Sequence, residues 1–203
     1  MSKYYYHGIR GGIDINSYTI NRMIRILESG GLKSNKLLHN SKFGGYNGID
    51  YISVCSKQDI NMYSNYKTNA FFNYIYNNYC FIISDKVDAI KTNYIDSEVY
   101  DYHYILELME NNPNIRYSDM FDEYQVKDEI PSNYIIGVGF PFNINNIHLS
   151  GNVYKTFSKL HNLLDNLGLD IVDTSSIFFI EEYENNKNNN DNKCKILTIN
   201  NSN

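Results

Sequence analysis

Tryptophan is absent from this chain, and its 203 residues include only 3 prolines and 3 cysteines. Cys55, Cys80 and Cys194 lie far apart and form no CxxC pair, and their odd number argues against a disulfide framework. The histidines His7, His39, His103, His148 and His161 show neither HExxH nor HxH spacing, so no metal site is expected. No apolar run approaches the roughly 18–20 residues of a membrane span, so a membrane is not an expected partner. The opening Met1-Ser2-Lys3-Tyr4-Tyr5-Tyr6 lacks the apolar stretch of a secretory signal. The expected location is therefore the cytoplasm, or the exterior by a route without a cleavable signal. A basic excess is missing too. Lys and Arg number 18 against 23 Asp and Glu, for a net charge of −5, which excludes a bulk field for gripping a phosphate backbone. Neither GxxxxGK[ST] nor GxGxxG occurs, so a dedicated phosphate loop is not expected.

What is present suffices for a folded domain. Hydrophobic residues make up 42% of the chain and charged residues 20%, and the length suits one domain. The segment from Asn185 to Asn192 is almost entirely Asn, Lys and Asp, so residues 185–203 read as a flexible tail behind a domain of residues 1–184.

Tyr4 to Arg10 reads as a strand broken by Gly11-Gly12. Asn16 or Ser17 caps a helix whose apolar face is Ile20, Met23, Ile24 and Leu27, and Gly30-Gly31 ends it, with a polar loop to Gly48. Strands are expected at Tyr51–Cys55, Cys80–Ile83, Tyr124–Lys127 and Tyr134–Phe140, with a last one at Ile177–Glu182. Helices are expected at Ser97–Glu110 and at Val153–Leu167, the latter closed by Gly168. Strands that do not alternate with helices point to an α+β fold rather than a doubly wound sheet.

Three short stretches carry candidate chemistry. His7-Gly8 ends the first strand. An imidazole there can hydrogen-bond a hydroxyl, and a bare glycine backbone lets a planar amide approach; a partly buried histidine beside a turn is the plain alternative. Gly45-Tyr46-Asn47-Gly48-Ile49-Asp50-Tyr51 is a glycine-rich loop entering a strand. Its tyrosine can offer a ring face to a flat, cationic pyridinium, or the stretch is an ordinary loop. Asp122-Glu123-Tyr124-Gln125 heads a later strand. A carboxylate facing a cleft there can hold a ribose hydroxyl and stabilise an oxocarbenium-like carbon; otherwise it is a solvated strand end.

Taken in order, these stretches resemble the ADP-ribosyltransferase superfamily, in its His-Tyr-Glu (poly-ADP-ribose-polymerase-like) branch. Tyr6-His7-Gly8-Ile9-Arg10 resembles the His-Gly-Ser-Arg motif of strand one. Ile26-Leu27-Glu28-Ser29-Gly30-Gly31-Leu32 resembles the end of the helix that follows. The segment Gly45 to Lys57 resembles "FGKGIYFADMVSK", and Asp122 to Asp128 resembles "NEYIVYD", whose glutamate is catalytic. The matching stretches fall between residues 4 and 140.

The resemblance implies a split β-sandwich with flanking helices and NAD, as co-substrate, in the cleft between the sheets. It implies that His7 binds the adenine-side ribose, that the Gly8 backbone holds the nicotinamide amide, and that Tyr51 stacks on the nicotinamide. Tyr63 is a second stacking wall, Ser56 orients the amide, and Arg10 meets the pyrophosphate or adenine ribose. Glu123 holds the nicotinamide ribose and polarises the acceptor. The sequence departs from the pattern at Ile9, where serine or threonine is usual. A strict alignment of Gly48-Ile49 puts Asp50, not Tyr51, at the tyrosine position. The implied activity is NAD-dependent mono-ADP-ribosyl transfer to a macromolecule, with nicotinamide released. A protein side chain is the expected acceptor, nucleic acid less so, and a bacterial toxin or effector is a fitting context. The alternatives are an inactive NAD- or ADP-ribose-binding module, or a nucleic-acid-modifying member of the superfamily. Asp128-Glu129-Ile130-Pro131 resembles a strand edge of its RNA 2′-phosphotransferases.

Overall fold

The computed structural model of the chain describes residues 4–9, 16–38, 50–56, 79–91, 110–111, 123–141, 149, 151–174, 183–185 and 187. The expected helix at Ser97–Glu110 lies outside them except at its end, and the expected strand at Ile177–Glu182 lies outside them entirely.

The chain begins with β1 (Tyr4–Gly8) and α1 (Ser17–Glu28). Asn16 caps α1, its side-chain oxygen accepting from the Thr19 N–H at 2.9 Å, and Ile20, Met23, Ile24 and Leu27 are buried on one face. Arg25 and Leu27 carbonyls accept from Ser29 and Gly30, and the chain turns through Gly30 and Gly31 at φ 91° and 130°. Gly31 starts β2 (Gly31–Lys33), a strand where the sequence suggests only loop. Next come β3 (Tyr51–Cys55), β4 (Cys80–Ser84) and β5 (Ala89–Lys91). Then follow β6 (Glu123–Lys127), β7 (Glu129–Pro131), a 3-10 turn at Ser132–Tyr134 and β8 (Ile135–Phe140). The chain goes on through α2 (Gly151–Leu167) to β9 (Asp170–Asp173). At the end of α2, Gly168 (φ 65°) and Leu169 donate to Asp165 and Leu164, the paired closure that favours glycine.

The strands form one large sheet in the order β5-β6-β3-β1-β4-β8-β9 and a small one of β2 and β7. Every neighbouring pair is antiparallel except β8 and β9, which run parallel and are joined through α2. The fold is thus α+β with a mostly antiparallel sheet.

β4 explains why Cys80-Phe81-Ile82-Ile83 is continuously apolar. It lies between β1 and β8 and is covered on both faces. On the helix side, Phe81 and Ile83 join the main core with Ile24, Leu27, Phe157 and Leu160, and an ion pair of 2.9 Å between Lys159 and Glu28 ties α2 to α1. On the other side, Cys80 and Ile82 join a smaller cluster with Tyr6, Cys55, Val172 and Tyr183.

Burial pushes the Cys80 thiol up to about 12, against a hydrogen bond from Gly139 that pulls it down. The thiolate is the reactive form, so Cys80 is expected to resist iodoacetamide at pH 8 in the folded protein and to react once the chain unfolds. Peptide mass spectrometry reads this, and fast labelling of Cys80 in native buffer contradicts it.

Candidate active site

The strands that carry His7, Tyr51 and Glu123 are neighbours, in the order β1-β3-β6. β3 and β6 pair along their whole length, with Tyr51 opposite Lys127 and Cys55 opposite Glu123. β1 and β3 behave differently. Among the described residues they are joined by the pair Tyr6↔Cys55 alone, whereas β1 pairs with β4 from Tyr4↔Ser84 to Gly8↔Cys80. Among the described residues the β1–β3 ladder therefore stops at that pair, leaving a split in the pairing beside the end of β1.

The direction of the main-chain groups in that split follows from the ladder on the other side. The Ile9 N–H donates to the Tyr79 carbonyl at 2.7 Å. Main-chain groups of successive residues in an antiparallel strand point alternately to the two neighbours. Ile9 and His7 therefore address β4, and Tyr6 and Gly8 address β3. Tyr6 meets Cys55, but the pair that would join Gly8 to Ser53 is not formed. The Ser53 carbonyl instead accepts from His7 Nδ1 at 2.8 Å, so the imidazole bridges the split. A carbonyl only accepts, so Nδ1 carries the proton and Nε2 of the neutral ring is an acceptor.

His7 is half-buried. Burial lowers its pKa below the usual 6.5, the Ser53 carbonyl opposes that, and Arg22 adds to it. The folded protein thus binds a proton here less readily than the unfolded chain. The stability this confers is complete above pH 6.5 and is lost as the pH falls below it. His7→Gln is accordingly expected to flatten the dependence of the urea midpoint on pH between about pH 7.5 and 5.5. Parallel curves for the two proteins contradict this.

The other residues implied by the resemblance sort as follows. Gly8 is buried at the end of β1. Tyr51, the first residue of β3, is half-buried and two residues before Ser53. Ile52 and Val54 face the helix-side core and Cys55 the other cluster, so alternation puts the Tyr51 side chain on the sheet face opposite to that of His7. The structure does not bring these two side chains together on one face. Asp50, the rival for the tyrosine position, is engaged elsewhere: its carboxylate pairs with Lys36 at 3.1 Å and its carbonyl accepts from the Asp128 N–H at 2.7 Å. Ser56 follows β3 and is half-buried. The backbone of Glu123 starts β6. Arg10 and Tyr63 lie outside the described residues. From strand spacing and rise, the backbones of His7 and Glu123 are about 10 Å apart, and those of Tyr51 and Glu123 about 14 Å. Alternation along β1 sends the His7 side chain to the face opposite Tyr6, the helix side, so a ligand touching His7 and the Tyr6–Cys55 row must pass through the split or around its rim.

Sequence reasoning missed Ser53, because its contribution is a main-chain carbonyl that any residue type supplies. It also missed the junction Tyr6↔Cys55, a pairing across 49 residues of chain. Among the described residues no group of three or more His, Cys, Asp or Glu gathers as a metal site, and no described helix is long and apolar enough to cross a membrane. Comparison of the chain with models of protein families, with curated proteins and with solved structures found no match.

Proposed function

We propose that the chain is an NAD-dependent mono-ADP-ribosyltransferase whose site is the split between β1 and β3. The observation that carries this reading is the main chain of Gly8, which addresses β3 where the β1–β3 ladder has ended. A buried N–H and C=O side by side in one residue suit a primary carboxamide, which offers the complementary acceptor and donor. Nicotinamide is such an amide on a flat cationic ring. Tyr51, on the sheet face opposite to that of His7, supplies the stacking face to a nicotinamide that reaches it through the split.

On this reading His7 Nε2 accepts from a hydroxyl of the adenine-side ribose, its tautomer fixed by Ser53. Glu123 holds the nicotinamide ribose. The bond between the ribose C1 and the pyridinium nitrogen breaks, and neutral nicotinamide leaves with the bonding pair. Positive charge develops on C1 and the ring oxygen, where a carboxylate stabilises it most. The acceptor nucleophile then bonds to C1, and its proton passes to Glu123. The net acidity of −5 favours a protein side chain over nucleic acid as the acceptor.

The test is to incubate the purified protein with NAD labelled on the adenylate and a cell lysate. Label on protein, absent with Glu123→Ala, is expected. Transfer that is equal with wild type and Glu123→Ala overturns the assignment of Glu123, and NAD binding without transfer or nicotinamide release makes the chain a binding module.

A further inference from the structure

On the sheet face away from α1 and α2, a segment from the C-terminal side of β9 covers the Tyr6–Cys55 row. Tyr183, in the helical turn at residues 183–185, is 2% exposed and completes the small cluster with Tyr6, Cys55, Cys80, Ile82 and Val172. Its ring lies 5.5 Å from that of Tyr4. Its hydroxyl donates to Asp170 Oδ2 at 2.7 Å. Lys187, one helical turn later, reaches the same oxygen at 2.6 Å, with its ammonium 5.8 Å from the Tyr183 ring. Tyr183 and Lys187 thus converge on one carboxylate oxygen of β9, in charge-assisted contacts. The turn lies over the middle of β1, for Glu184 is close enough to add to the burial that raises the Tyr6 hydroxyl well above the usual tyrosine value. Tyr6 is half of the pair that, among the described residues, joins β1 to β3.

We propose that the turn bearing Tyr183 and Lys187 is a strap that clamps the Tyr6–Cys55 junction and, by releasing Asp170, lets the β1–β3 split open to ligand. The clamping rests on geometry alone; its consequence for NAD rests on the function proposed above. While the Tyr183 ring fills the cluster, β1 and β3 cannot part at Tyr6 without opening a void beneath it. Because Tyr183 and Lys187 both meet Asp170, a change there shifts the balance between docked and released forms. Local opening of this kind needs far less than global unfolding.

The experiment uses the full chain and two variants. Asp170→Asn removes the charge that Lys187 faces, and Tyr183→Phe removes the hydroxyl while keeping the ring. The first readout is alkylation of Cys55, which is 8% exposed beneath this segment. Both variants are expected to speed Cys55 labelling in native buffer, by about tenfold for Asp170→Asn, as for a lost charged hydrogen bond. The stability read from the urea midpoint is expected to fall by no more than that tenfold factor accounts for, about 1.4 kcal/mol. The second readout is nicotinamide release from NAD, which is expected to rise with labelling. Labelling unchanged in both variants overturns the strap. Faster labelling in Tyr183→Phe, with a midpoint no lower than its labelling factor accounts for, supports it even if Asp170→Asn folds poorly. Faster labelling with no nicotinamide released by any form keeps the strap and overturns the proposed activity instead.

Discussion

Gly31→Ala is expected to destabilise the protein by about 3–5 kcal/mol, among the largest effects a single methyl group can have. Gly31 has a φ of 130°, where L side chains rarely sit. A Cβ there would lie 2.1 Å from the Ile130 carbonyl oxygen and 2.7 Å from the Ser132 nitrogen, both main chain and unable to swing aside. Gly31 is also the register partner of Pro131, and its neighbour Gly30 accepts from the Ser132 N–H at 2.7 Å. The methyl group would therefore prise β2 from β7 and uncouple the end of α1 from the chain that leads into β8. Gly30→Ala is the control. It carries a φ of 91° but nothing lies within 4 Å of its added Cβ, so backbone strain alone remains, about 1–2 kcal/mol. Thermal unfolding separates them, since each kcal/mol lowers the Tm of a chain this size by about 2–4 °C. Equal losses from the two substitutions contradict the argument from close approach.

The second large effect concerns turnover. Glu123→Ala is expected to lower nicotinamide release by about 10²-fold, the scale of losing one group aimed at developing charge. The loss should fall on kcat and leave the KM for NAD little changed, because the charge on C1 exists in the transition state and not in bound NAD. His7→Ala is expected to show the opposite balance, since the ribose contact proposed for it would be made in both states. Glu123→Gln keeps the shape and removes the charge, so it should resemble the alanine variant if the carboxylate acts electrostatically.

Local pattern made much of this fold legible. The spacing of Ile20, Met23, Ile24 and Leu27 announced both α1 and its buried face, and of the two caps the sequence offers, Asn16 and Ser17, the structure uses Asn16. The unbroken apolar run of β4 announced a strand covered on both sides. What escaped was short or depended on distant partners. β2 and β5 have three residues each, too few for a period, and Ile90 of β5 lies exposed at the sheet edge. β9 has only Ile171 and Val172 between aspartates, and it is a strand because β8, thirty-odd residues earlier, lies parallel to it. The candidate site divides in the same way. His7-Gly8 and the segment entering β3 are visible in the order of residue types. The split beside Gly8 is not, because it depends on where the β1–β3 ladder stops. Asp170, Tyr183 and Lys187 were equally silent, since a carboxylate between apolar residues and a lysine in an Asn-rich stretch carry no local sign of meeting.

The central claim is that this site breaks the bond between nicotinamide and ribose. Its most direct test is to mix the purified full chain with NAD labelled in the pyridine ring and to count free nicotinamide over time, beside Glu123→Ala at equal concentration. Catalytic release by the native chain, about 10²-fold slower in the variant, is the predicted result. Release at the same rate from both proteins, or NAD that does not bind at all, contradicts it.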